Sequence, residues 1–141
     1  MIKTRPQKTK TTSQLIKELD DIFSLYVRLN EADAYGTVTC FVTGERVYYR
    51  DADAAHFIDR AHMATRWDTE NVHACTQETN RYDPDHKKKY RLAMVRKYGA
   101  GTVESLEVHS RSLMKRTAHE LTETIETFKE EVKKLRALKK I

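Results

Sequence analysis

Leu15, Ile16, Leu19, Ile22, Phe23, Tyr26, Val27 and Leu29 recur at three- and four-residue spacing. That period predicts a helix with one buried stripe, capped by Thr12 or Ser13 and ending before Gly36. From Thr37 the period changes. Thr37 to Val42 is rich in β-branched residues and reads as a strand; Thr43 to Arg46 is a turn, and Val47 to Tyr49 begins a returning strand. A second short β segment covers Ala54 to Ile58, and Glu70-Asn71 leads into a short helical or loop stretch ending near Tyr82. A helix over Asp85 to Tyr98 is broken by Gly99 and Gly101, and a brief helix follows over Val103 to Val108. Thr117, with Glu120 three residues on, predicts a capping box for a last helix. Its stripe is Leu121, Ile125, Phe128, Val132, Leu135 and Leu138. Residues 1–11 lack apolar periodicity and read as a flexible basic arm ahead of one domain over 12–141. The order of elements predicts an α+β fold with a small sheet.

Composition narrows the class. The chain of 141 residues is 33% charged and 39% hydrophobic, enough for one modest core. No apolar run reaches the roughly 18 to 20 residues of a membrane span, and the basic start is followed by no apolar secretory segment. The expectation is a cytoplasmic protein with no membrane partner. Lysine and arginine outnumber acids 26 to 21, for a net charge of +5. The excess is clustered: Lys3, Arg5, Lys8 and Lys10; then Lys87, Lys88, Lys89, Arg91, Arg96 and Lys97; then Lys133, Lys134, Arg136, Lys139 and Lys140. Each cluster alone reads equally well as a solvated face. Three around one polar segment point to a polyanion, because phosphate neutralisation dominates DNA affinity. The two cysteines, Cys40 and Cys75, are too few for an all-cysteine zinc site.

That polar segment runs from 51 to 80. It concentrates His56, His62, His73, Asn71 and Asn80 with Asp51, Asp53, Asp59 and Asp68. Phosphodiester hydrolysis needs a base to activate water and a hard cation to offset charge on the scissile phosphate. Neutral imidazole suits the first task, and carboxylate, amide or imidazole donors suit the second. Spacing alone leaves a polar site of open chemistry.

The residues Asp53-Ala-Ala-His56-Phe-Ile-x-Arg60, Ala64-Thr-Arg66-Trp67-Asp-x-x-Asn71-Val-His73-Ala-Cys75 and Asn80-Arg-Tyr82 go further. Together they resemble the phage NinG/Rap recombination nuclease family. The similarity continues through Tyr98-Gly99 and Val103-Glu104-x-Leu106, and reaches back to Leu19-Asp20 and Phe23-Ser24. It spans roughly residues 15 to 138. The resemblance implies a small β-hairpin with a ββα-metal (His-Me finger, HNH-type) core between N- and C-terminal helices. The implied activity is a structure-selective endonuclease that cuts branched recombination intermediates such as Holliday junctions and D-loops in phage DNA.

The resemblance also implies roles. His56 is the general base, and Asn71 fixes the loop and orients its imidazole. Asp53, His73 and Asn80 are metal ligands for Mg²⁺ or Mn²⁺, with Asp83 and Asp85 as further acids nearby. Arg60, Arg66, Lys87, Lys88, Lys89 and Arg91 hold DNA, although Arg60 and Arg66 read equally well as salt-bridge residues. The implied setting is a phage protein in the host cytoplasm, with branched DNA, recombination proteins or a second copy of the chain as partners.

Two departures stand out. The family's paired C-x-x-C motifs tie hairpin to helix through a structural zinc. Here they read Cys40-Phe-Val-Thr43 and Cys75-Thr-Gln-Glu-Thr79, so the expectation is that the structural zinc is lost and packing replaces it. Ala55 stands where the pattern has glycine beside the base. An alternative follows: an inactive DNA-junction or recombinase-binding protein that keeps the nuclease shell. A third reading is a helical module that pairs through its last helix.

Overall fold

The computed structural model describes residues 9–141. Lys3, Arg5 and Lys8 of the expected basic arm lie outside the described residues. Lys10 pairs with Glu18 at 2.6 Å.

The first helix, α1, spans Thr12–Glu31. Its cap is Thr11, one residue earlier than expected. The Thr11 hydroxyl accepts from the Gln14 amide while the Gln14 side chain accepts from the Thr11 amide, satisfying two orphan donors at once. Leu15, Leu19, Phe23, Val27 and Leu29 are buried, as the stripe predicts. The last helix, α5, spans Ala118–Lys139 and is capped by Thr117 accepting from the Glu120 amide at 3.1 Å. It lies alongside α1 in the same direction. Lys129 meets Glu18 at 3.2 Å, and Lys139 donates to the carbonyls of Leu29, Asn30 and Ala32 at the far end of α1. The stripe of α5 is therefore covered by this chain's own α1. It stops short of Leu138, which is 77% exposed.

Two antiparallel hairpins follow. In the first, β1 (Thr37–Thr39) pairs with β2 (Arg46–Tyr48). The expected strand to Val42 ends early because Cys40 to Gly44 close a turn, with the Gly44 amide donating to the Cys40 carbonyl at 2.9 Å. Gly36 precedes β1 at φ +82°, and a β-carbon there would lie 2.6 Å from the Tyr48 ring. Only glycine meets both conditions. Tyr49–Asp51 form one 3₁₀ turn leading into β3 (Ala52–His56).

The second hairpin, β3 with β4 (Val72–Thr76), holds the centre. β4 corrects the helical or loop expectation for this stretch. All five of its residues are buried, so it lacks the in-out alternation by which a half-exposed strand is recognised. Val72 and Ala74 join the cores on the α1 side, and Cys75 joins the core on the opposite side. That opposite side is covered by α3 (His86–Tyr98) and α4 (Ala100–Ser110) through Tyr90, Met94, Val103 and Leu106. Gly99 separates these helices at φ +87°, but Gly101 is taken into α4, which is longer at both ends than expected. Between β4 and α3, α2 (Gln77–Tyr82) completes a strand–strand–helix unit. The fold is α+β, with helices on both faces of small hairpins. Among the described residues, no helix is long and apolar enough to cross a membrane.

Candidate active site

β4 is shielded along its outer edge: Phe41 donates to the Ala74 carbonyl, and Glu31 accepts from the Ala74 amide, each at 2.9 Å. Among the described residues, no strand pairs with the other side of β3. A cleft of roughly 580 Å³ opens there between α1 and the start of α3, bordered by Asp20, Ser24, Asp53, His56, Asn80 and Lys87.

His56 ends β3 and lines this cleft. Its Nε2 lies 2.8 Å from the Arg66 carbonyl oxygen. A carbonyl only accepts, so Nε2 carries the proton and Nδ1 keeps the lone pair. Burial holds His56 below the ordinary 6.5, reinforced by the charges of Arg60 and Lys87 and opposed by the carbonyl and Asp20. The ring is neutral at neutral pH, with its Nε2 proton committed to the Arg66 carbonyl.

The carbonyl is positioned by Asn71. This amide is fully buried. Its Oδ1 accepts from the Ile58 amide at 2.8 Å, and its Nδ2 donates to the Ile58 and Thr65 carbonyls at 2.9 and 3.0 Å. Asn71 thus clamps both ends of the 58–65 loop and orients His56 through it, without touching the imidazole. Arg66 is clamped too. Its guanidinium donates to both oxygens of Asp20 at 3.0 and 2.6 Å and to the Arg60 carbonyl at 2.8 Å, and Trp67 Nε1 donates to Asp20 at 3.0 Å. With Arg66 and Asp20 side chains only 17% and 16% exposed, Arg66 is held in a largely buried ion pair. This is the pairing that the salt-bridge alternative expects.

Asp53 lies on the edge strand. Its carboxylate accepts from Asn80 Nδ2 at 2.9 Å and from Arg81 Nε and Nη2 at 2.9 and 2.8 Å. Burial pushes this carboxyl up, but the hydrogen bonds from Arg81 and Asn80 outweigh it and hold it below its usual range. α2 delivers Asn80 and Arg81 directly after β4.

His73 does not join them. The register places it on β4, across from Ala55, and its ring does not line the cleft. There it stacks on Phe41 at 4.0 Å, contacts the Tyr98 hydroxyl at 3.0 Å, and lies 3.5 Å from Glu31. The expected ligand set of Asp53, His73 and Asn80 is therefore reduced to Asp53 and Asn80. Among the described residues, no three His, Cys, Asp or Glu side chains gather as a metal-holding group. Asp53 offers a carboxylate and Asn80 an amide, which here faces that carboxylate with its Nδ2. Carboxylate and amide oxygens are donor types that suit Mg²⁺ or Mn²⁺, hard ions that keep waters and take further oxygens from phosphate.

The basic residues divide. Arg60 stands at the cleft with its side chain 62% exposed, 3.8 Å from Asp20. Lys87 is drawn in, donating to the carbonyls of His56 and Phe57, and burial lowers its pKa. Lys88 is exposed. Lys89 and Arg91 form surface pairs with Asp83 and Glu107; such pairs contribute little and exchange readily.

Sequence reasoning left Asp20 and Arg81 without a role. Asp20 flanks the buried Leu19 of α1, and an acid at the border of an apolar stripe is a weak signal of a buried partner. Arg81 follows Asn80, and nothing in its spacing announces Asp53. Cys40 and Cys75 are buried and unbridged on the α3 side of the hairpin. A hydrogen bond from Cys75 holds the Cys40 thiol well below its usual range, and the same contact with burial drives Cys75 up.

The chain matches the protein family described as Bacteriophage Lambda NinG protein over residues 1–139. No curated protein and no solved structure matches it.

Proposed function

This chain belongs to the bacteriophage lambda NinG family, a recombination-related phage family, and we propose that it is a metal-dependent endonuclease acting on branched DNA. The observation that supports this most is the His56 imidazole, held neutral by burial and oriented by the Arg66 carbonyl, in an open cleft with Asp53 and Asn80.

In this reading Nδ1 of His56 takes a proton from water as its oxygen attacks phosphorus. The phosphorus–oxygen bond to the departing strand end breaks, and that oxygen is protonated from solvent. Asp53 and Asn80 would hold Mg²⁺ or Mn²⁺, which when bound offsets negative charge on the phosphate. Exposed Lys88, and Arg60 by exchanging its 3.8 Å contact with Asp20, would meet DNA phosphates, while Lys87 keeps the end of β3 in place. Lys89 and Arg91 would exchange their surface carboxylates for phosphates farther out along α3.

One observation favours the inactive DNA-binding alternative: the Arg81 guanidinium already occupies both oxygens of Asp53. Incubation of the full chain with labelled four-way junction, flap and linear duplex, in Mg²⁺ or Mn²⁺, separates the two. Cleavage of branched substrates supports the nuclease. Binding without cleavage under either metal supports the alternative.

A further inference from the structure

The Asp53–Arg81 pair is unequal. Asp53 is held inside, its side chain 16% exposed, whereas Arg81 is 50% exposed. The carboxylate is fixed by Asn80 and by its place in β3; the guanidinium sits on a long side chain in the last turn of a short helix. If one partner leaves, it is Arg81. A divalent ion on the same carboxylate would lie within a few ångströms of the guanidinium, so like-charge repulsion makes the two cations exclusive. Arg81 also lines the cleft that holds His56, where the guanidinium fork would find phosphate oxygens to replace the carboxylate.

We propose that Arg81 is a displaceable counter-ion of Asp53, holding the carboxylate until a divalent cation takes it and a DNA phosphate accepts the guanidinium. The proposal rests on reading the cleft as a metal-assisted nuclease site and adds how that site is loaded. Arg81 is a positioning residue. By linkage, DNA that draws Arg81 away raises metal affinity, and metal raises DNA affinity by the same factor. An empty cleft stays poorly loaded and DNA completes it.

The test is a titration of the full chain with Mn²⁺, following the free ion by electron paramagnetic resonance without DNA. Arg81→Gln is expected to bind Mn²⁺ roughly twofold to fivefold tighter than the parent, the size of a partly exposed ion pair removed, with Arg81→Lys between. Adding Asp53→Asn should abolish the gain. In chelator, Arg81→Gln should bind a four-way junction more weakly, with a salt dependence shallower by about one phosphate contact. Unchanged or weaker Mn²⁺ binding by folded Arg81→Gln overturns the proposal, as does a gain that survives Asp53→Asn or no Mn²⁺ binding by any variant. Cleavage assays report separately on the nuclease reading. Tighter binding without cutting upholds the counter-ion and defeats the nuclease; cutting with unchanged Mn²⁺ affinity does the reverse.

Discussion

The imidazole of His56 hydrogen-bonds the backbone carbonyl of Arg66 at 2.8 Å, across ten positions of chain. That bond sets the tautomer of the proposed base. It depends on a loop held at both ends by one buried amide, Asn71, and on a guanidinium locked to Asp20. Orientation of the base is therefore a property of the folded loop and not of its immediate neighbours.

Removing the clamp is the first consequence. Asn71→Ala leaves the Ile58 amide and the Ile58 and Thr65 carbonyls without their partner, and leaves a small void. A loss of about 3 kcal/mol is expected from buried polar groups left unpaired. Urea unfolding measures it, and a loss below ~1 kcal/mol would show that water or the backbone replaces the amide without difficulty.

Asp20 supports the same loop from α1. Asp20→Ala strands the Arg66 guanidinium and frees the indole nitrogen of Trp67, with an expected cost of about 2 kcal/mol for hydrogen bonds to a charged group. The chain has one tryptophan, so its emission reports this site alone. A red shift in the folded variant is expected; an unchanged spectrum would mean that Asp20 does not hold the indole.

The pH dependence follows from the lowered His56 pKa. A base acts when unprotonated, so single-turnover cleavage should stay flat above 6.5 and fall only as pH drops below that value. The same shift lets the folded chain bind fewer protons than the unfolded chain between the lowered pKa and 6.5. Its stability contribution is intact above 6.5 and is lost as pH falls through that window. A half-maximal rate above pH 6.5 assigned to His56 would contradict this environment.

Much of this arrangement was legible in the chain itself, and the exceptions have physical causes. The stripes of α1 and α5 place the outer helices because each buries one face only. His56, Asp53 and Asn80, picked out by motif, border one cleft. His73 is taken up by packing against Phe41 and Tyr98 on the β4 side of the hairpin, tertiary contacts that no local pattern encodes. β4 was hidden because burial on both faces removes alternation. Whether Arg66 pairs with an acid or meets DNA stayed open in the sequence because its partner Asp20 lies 46 positions earlier.

The thiols give a further expectation. Cys40 and Cys75 are 2% and 0% exposed, so neither should react with an alkylating reagent until the chain unfolds. Metal analysis of protein purified without chelator is expected to find no stoichiometric zinc, with packing of Cys40 and Cys75 against Tyr90 and Met94 in its place. One tightly held zinc per chain would contradict that account.

The central claim is that His56 supplies the base for DNA cleavage. Its most direct test compares the parent chain with His56→Ala on one labelled four-way junction, measuring binding in chelator and single-turnover cleavage in Mg²⁺ or Mn²⁺. The account predicts near-equal binding and a loss of cleavage of at least about 100-fold, the lower range for a removed general base. Equal cleavage by both proteins, or binding without cleavage by the parent under either metal, would contradict it.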